Sequence, residues 1–151
     1  MNIREAISEA NFLLKKKLVK TYQLDSEILM AEILNEDRKF VILNLDKKIN
    51  SKLYKIFIDL VKMRSKGKPI AYLIGKKDFW KYQFNLKENI LIPRPDSELI
   101  IDQVLSLTKF KNKLSILDIG IGSGCLLLSI LKDLHFFDLG TILITHCDFL
   151  P

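Results

Sequence analysis

Seven residues of this 151-residue chain, Asp118-Ile119-Gly120-Ile121-Gly122-Ser123-Gly124, have types and spacing suited to holding a ligand. The apolar run Ile116-Leu117 before them reads as a buried strand that ends in an acid. Cys125 to about Asp133 reads as an apolar helix. One glycine would serve a plain strand–helix turn, whereas three at alternate positions point to a backbone cradle that passes through positive φ. The helix start adds N–H groups without intrahelical partners, which suit a carboxylate or another electron-rich ligand. The spacing differs from the G-x-G-x-x-G of dinucleotide loops, which leaves room for a pyrophosphate. Asp118 is placed to steady the loop or approach a ligand amino group rather than to act as a base. Ile121 and Ser123, between the glycines, complete the candidate cofactor set.

Outside that loop the chemistry is sparser. In Pro93-Arg94-Pro95-Asp96-Ser97-Glu98, Arg94 and Glu98 are candidates for a substrate mouth, and Asp96 and Glu98 also suit a helix start. Trp80, Tyr82 and Phe84 read as core aromatics before they read as a binding platform. Cys125 reads as a small packing residue. His135 and His146 have no partners at ligand spacing, and Cys125 and Cys147 make no metal-binding spacing, so no metal site is expected.

These residues need elements to position them. Ile3, Ile7, Ala10, Leu14 and Leu18 recur at helical spacing, predicting one amphipathic helix from Ile3 to Lys20. Asp25 is the expected cap of a second helix that stops near Asn35. Phe40 to Leu45 predicts a third. Asn50 or Ser51 starts a fourth, closed by Gly67. Pro69 and Gly75 frame a last turn, Ile70 to Ile74. The period then changes. Asp78 to Leu86 is aromatic and partly alternating, as in a half-buried β-ribbon. Ile90-Leu91-Ile92 is a short strand-like run cut by Pro93 and Pro95, and Asp96 is expected to cap a helix through Leu107. The sequence thus divides into a helical bundle over 1–75, a β-hairpin linker over 76–95 and an α/β segment over 96–151.

Composition narrows the classes. Hydrophobic residues make up 48% and charged residues 28%, enough for a packed core and against wholesale disorder. Twenty of the 24 basic residues are lysine, and isoleucine is equally abundant, so the net charge of +6 fits a compositional bias as well as a binding surface. Only Lys15-Lys16-Lys17 is a triple, and nucleic acid is not the expected partner. The cysteine usage fits a reducing compartment. The start has no apolar signal core and no run approaches a membrane span. A soluble cytoplasmic protein without membrane contact is the expectation.

Leu91-Ile92-Pro93-Arg94-Pro95-Asp96-Ser97-Glu98-Leu99 ahead of the glycine loop gives the chain a family likeness. It resembles the release-factor glutamine N5-methyltransferases, the HemK/PrmC family. The D-x-G-x-G-x-G loop is similar to the first motif of class I methyltransferases. Asp25-Ser26-Glu27-Ile28-Leu29-Met30-Ala31, Gly67-Lys68-Pro69-Ile70-Ala71-Tyr72-Leu73-Ile74-Gly75 and Asp78-Phe79-Trp80 match the family pattern as well. The resemblance runs from about residue 1 to residue 131 and implies a helical bundle joined by a β-hairpin to a Rossmann-like domain. It further implies S-adenosylmethionine as cofactor, peptide chain release factors as partners, and methyl transfer to the glutamine amide of their Gly-Gly-Gln tripeptide. Nucleic-acid adenine N6-methylation is the alternative within methyl transfer. A non-enzymatic module that still touches a release factor is the alternative outside it.

Two features depart from the family pattern. The Asn-Pro-Pro-Tyr motif that holds the amide in the family is not in these 151 residues, so no catalytic residue is assigned. An acid for the ribose hydroxyls is sought roughly nineteen residues after the last glycine, by analogy with nucleotide folds. That count reaches Leu143, and neither Asp138 nor Asp148 fits the position well. The expectation is a truncated or frameshifted product whose residues after about Leu131 form an unrelated tail, leaving strand 114–119 as an exposed apolar edge. The alternative is a diverged second strand, Thr141 to Thr145, ending in Asp148.

Overall fold

The computed structural model describes residues 1–109, 113–134 and 138–145. The chain divides into two units, Met1–Ile74 and Gly75–Pro151.

The first unit is all helix. Helix α1 (Ile3–Lys16) opens on a capping box, in which the Asn2 side chain accepts from the Glu5 amide (2.8 Å) and the Glu5 carboxylate accepts from the Asn2 amide (2.9 Å). Ile3, Ala6, Ile7, Ala10 and Leu14 form its buried stripe. Helices α2 (Tyr22–Leu34), α3 (Arg38–Leu43), α4 (Ser51–Ser65) and the short α5 (Ile70–Ile74) follow. Leu29, Met30, Val41, Phe57 and Val61 close one core with the α1 stripe. Asp37 and Asn50 cap α3 and α4 through their side chains.

Three helix limits differ from the sequence reading. Helix α1 stops at Lys16 rather than Lys20, because Leu18 turns left-handed (φ 59°) and the Val19 amide reaches back to the Leu14 carbonyl. Helix α3 starts two residues early, where Asp37 can cap it. Asp25 is not a cap. It lies inside the first turn of α2, buried, where its carboxylate accepts from Thr21 Oγ1 (2.9 Å) and Arg64 Nε (2.7 Å).

In the second unit, β1 (Lys76–Phe79) and β2 (Tyr82–Asn85) make an antiparallel hairpin around Trp80-Lys81. No ladder forms at Ile90–Ile92, which is followed by a 3-10 turn, Pro95–Ser97. That turn takes the place of the expected Asp96 cap, and helix α6 (Glu98–Thr108) begins directly after it. Strand β3 (Lys113–Ile119), helix α7 (Cys125–Asp133) and strand β4 (Asp138–Thr145) complete the unit. Phe79 of the hairpin shares a buried cluster with Ile101, Cys125, Ile130 and Leu134.

Strand β3 is not left alone. It pairs in parallel with β4, from Lys113 opposite Asp138 to Ile119 opposite Thr145. A strand therefore stands where the diverged-strand alternative expected one, starting at Asp138 rather than Thr141, and it covers the edge of β3 that the tail reading left exposed. Hydrogen bonding of this backbone depends on a neighbour at the right spacing rather than on particular side chains. Along β3, Leu114, Ile116 and Asp118 are half-buried, while Leu117 and Ile119 are exposed. Asp148, His135, His146 and Cys147 lie outside the described residues.

Candidate functional site

The glycine loop leaves β3 at the edge where β4 also ends, since Ile119 pairs with Thr145. Ligands of parallel α/β sheets bind outside the carboxyl ends of the strands. Gly120, Gly122 and Gly124 take φ values of 77°, 55° and 73°. A side chain at any of the three would be strained. At Gly120 nothing lies within 4 Å of where a Cβ would stand, so the backbone there is open to a ligand. At Gly124 a Cβ would meet Leu128 Cδ1 at 3.3 Å, so that glycine also serves the close approach of helix to loop.

Several loop groups are already engaged. The Gly124 amide donates to the Ile121 carbonyl (2.8 Å), and the Gly124 carbonyl accepts from the Leu128 amide (2.9 Å). Ser123 Oγ and Cys125 Sγ are 2.7 Å apart, with Cys125 buried as a packing residue. No side chain caps the first turn of α7. Asp118, half-buried two residues before Gly120, joins Ile100, Val104, Leu127 and Ile130 around a cleft of about 170 Å³. Asp118, Gly120, Ile121, Gly122, Ser123 and Gly124 therefore form one continuous strand-end and turn. The cleft lining is apolar but for the Asp118 carboxylate, and none of the three glycines lines it.

Arg94 and Glu98 have different surroundings. Arg94 is exposed, and its carbonyl accepts from the Ser97 amide (3.0 Å) to close the 3-10 turn. Glu98 Oε1 accepts from the Trp80 backbone amide (2.8 Å) at the hairpin turn, where Trp80 is left-handed (φ 57°).

Sequence reasoning missed Asp133. Its carboxylate accepts from Lys81 Nζ (2.6 Å), Tyr82 Oη (2.6 Å) and Trp80 Nε1 (2.8 Å), three consecutive residues of the hairpin. The Lys81 hydrogen bond, then those of Tyr82 and Trp80, hold the Asp133 carboxyl down at about 2. The same contact with Asp133, with burial, pushes the Tyr82 hydroxyl up. Lys132 Nζ lies 4.0 Å from the centre of the Tyr82 ring. The only sequence signal was an acid at the end of an expected helix, and nothing local links it to partners 51–53 residues away.

Among the described residues, no group of three or more His, Cys, Asp or Glu side chains could hold a metal ion. No described helix is long and apolar enough to cross a membrane.

A helical module followed by a β-hairpin and an α/β unit with a glycine turn is the opening of a methyltransferase fold. Residues 5–75 match the PrmC N-terminal domain family. The chain is 35% identical over 124 residues to the release factor glutamine methyltransferase of Clostridium botulinum, covering 82% of this chain and 44% of that protein. It is 36% identical over 132 residues to the protein of that name from Clostridium acetobutylicum, covering 87% and 46%. The Buchnera aphidicola protein of that name is 37% identical over 125 residues, covering 80% and 45%. The similarity is thus to release factor glutamine methyltransferases, and the chain spans under half the length of these relatives.

Proposed function

We propose that this chain takes part, in the cytoplasm, in S-adenosylmethionine-dependent methylation of the glutamine side-chain amide in the Gly-Gly-Gln tripeptide of peptide chain release factors. One observation carries the reading. Three left-handed glycines stand at the carboxyl edge of a parallel strand pair, beside a half-buried acid. The names of the relatives support the reaction class. Gly120 to Gly124 would cradle the methionine end of the cofactor, and Asp118 would face its amino group. When bound, S-adenosylmethionine supplies an electrophilic methyl group.

The acceptor sets the demand on the protein. An amide nitrogen shares its lone pair with the carbonyl and is a poor nucleophile, so the reaction depends on placement and electrostatics. The helical unit is assigned to the release factor, and Arg94 to the substrate side of the α/β unit. No Asn-Pro-Pro-Tyr occurs among residues 1–151 to orient the amide. Orientation is worth roughly 7–11 kcal/mol in favourable cases.

The test has two readouts. Calorimetry with S-adenosylmethionine is expected to give binding weaker than about 1 µM, abolished by Gly122→Val, since a β-branched residue resists φ near 55°. Labelled-methyl transfer to a release factor by the 151-residue chain is expected to be absent. Unchanged binding by the valine variant would overturn the cofactor assignment. Robust turnover would show that residues 1–151 hold an orienting group of another kind, and release-factor association without cofactor binding would favour the non-enzymatic reading.

A further inference from the structure

Three helices of the first unit end in the same way. After α1, α2 and α4 the chain takes a left-handed residue, Leu18 (φ 59°), Asn35 (φ 53°) and Gly67 (φ 96°). Each time the following amide, of Val19, Glu36 or Lys68, reaches back five residues to a carbonyl, of Leu14, Ala31 or Met63. Glycine and asparagine are the residues suited to that position. Leucine is not. Leu18 is also 88% exposed, so its side chain gives nothing back to the core. It is unfavourable twice over, in backbone conformation and in solvation.

Its surroundings are of one kind. From Ala10 to Leu24 there is no acidic residue, and there are four lysines, Lys15, Lys16, Lys17 and Lys20. Phe12 is 68% exposed on the last turns of α1, and Leu24 is exposed on the first turn of α2. Lys15 Nζ lies 5.9 Å from the centre of the Tyr22 ring, which links the end of α1 to the start of α2. The corner therefore presents apolar knobs within a field of positive charge.

We infer that this corner, Phe12, Leu18 and Leu24 framed by the four lysines, is a docking surface for an acidic protein segment that carries aliphatic side chains. Charge complementarity selects the partner, because the corner is uniformly cationic. Apolar anchors would fill contacts made by Phe12 and Leu18, whose exposure the fold does not require. A membrane surface is a poorer match, since the apolar stripe of α1 is buried in the core and leaves no amphipathic face to insert. Single-stranded nucleic acid is a poorer match too, since Phe12 is the one exposed ring among the three apolar knobs and successive bases need several stacking planes. This docking site lies on the helical unit assigned above to the release factor and follows from the charge and exposure of this corner alone.

The test uses the whole 151-residue chain and a synthetic helical peptide rich in glutamate and leucine, with a glutamine–alanine peptide as control. Wild-type chain is expected to bind the acidic peptide at tens of micromolar and to lose affinity as salt rises. Leu18→Gly is expected to weaken binding about fivefold or more while raising the Tm of the helical unit by about 2–4 °C. Leu18→Asn is expected to behave alike, and K15E/K16E/K17E to abolish binding with the helical circular dichroism kept. A binding loss accompanied by a gain in stability is a result that a merely structural leucine could not give. The inference is overturned if either Leu18 variant binds as wild type does, or if Leu18→Gly fails to raise the Tm. It is also overturned if the control peptide, phosphatidylglycerol vesicles or an oligonucleotide binds as tightly as the acidic peptide.

Discussion

Asp133 shows how one side chain can fix a supersecondary unit. Three donors from Trp80, Lys81 and Tyr82 converge on a carboxylate whose side chain is only 10% exposed, so the hairpin turn is fastened to the end of α7. Glu98 fastens the same turn to the start of α6 through the Trp80 amide. Because the folded Asp133 carboxyl is held at about 2 against an ordinary 3.8, its contribution is complete above about pH 4 and is lost as pH falls through about 2. After solvent screening that contribution is about 1–2 kcal/mol. Trp80 is the single tryptophan of the chain and reports the contact directly. Asp133→Asn is expected to red-shift its emission, raise its quenching by acrylamide at pH 7 and flatten the wild-type change between pH 4 and 2. An unaltered pH profile in the variant would mean that Asp133 does not govern the turn. The glycine loop was legible in sequence because its chemistry is local, a run of seven residues whose types alone demand a turn. The Asp133 contact was not, since its partners are brought in by the fold across the whole α/β unit.

At the scale of elements, the joint between α2 and α4 is a buried ion pair. Asp25 accepts from Arg64 Nε and from Thr21, while an Arg64 terminal nitrogen reaches the Lys68 carbonyl (3.3 Å) after the end of α4. Removing one partner strands the other charge. Arg64→Ala is expected to destabilise the helical unit by about 3 kcal/mol, read from urea unfolding followed at 222 nm. D25L/R64M is expected to recover most of that loss, because two apolar groups of similar volume leave no orphaned charge. If the double variant is as unstable as Arg64→Ala, the pair acts through shape rather than charge. The same residue explains a misreading. Asp25 looked like a cap because acids favour helix starts, and no local pattern announced an arginine 39 positions away. Helix interiors were legible from the periodicity of Ile3, Ile7, Ala10 and Leu14. The end of α1 was not, since it closes on a leucine in a conformation that sequence patterns reserve for glycine, whereas the stop of α2 at Asn35, the Asn50 cap of α4 and the span of α5 were read correctly.

For the whole molecule, the decisive fact is that the two units have separate cores. Ile3, Leu29, Val41, Phe57 and Val61 make one cluster, and Phe79, Ile101, Cys125, Ile130 and Leu134 make the other. Among the described residues the second cluster is the smaller, while large apolar side chains are exposed in both units, Leu99, Leu107 and Leu117 in the second and Phe12, Leu18 and Leu43 in the first. Apolar surface left in water contributes nothing to folding, at roughly 25 cal/mol per Å² forgone. The unit 75–151 is therefore expected to unfold before the unit 1–74. Trp80 belongs to the weaker unit, whereas most of the helical signal at 222 nm comes from the stronger one. Urea titration is expected to give two midpoints, with tryptophan emission changing at lower urea than ellipticity, and a naphthalene-sulfonate dye is expected to bind between them. Coincident transitions would show a single cooperative molecule and remove the basis for treating the helical unit as independent. A change from helical to alternating period was visible in sequence near Gly75, but the hairpin was set apart as a linker, whereas its Phe79 packs with Ile101 and Cys125. The smaller core of the second unit was not visible in sequence, because it depends on which side chains the fold closes over, and only the three-dimensional arrangement shows that.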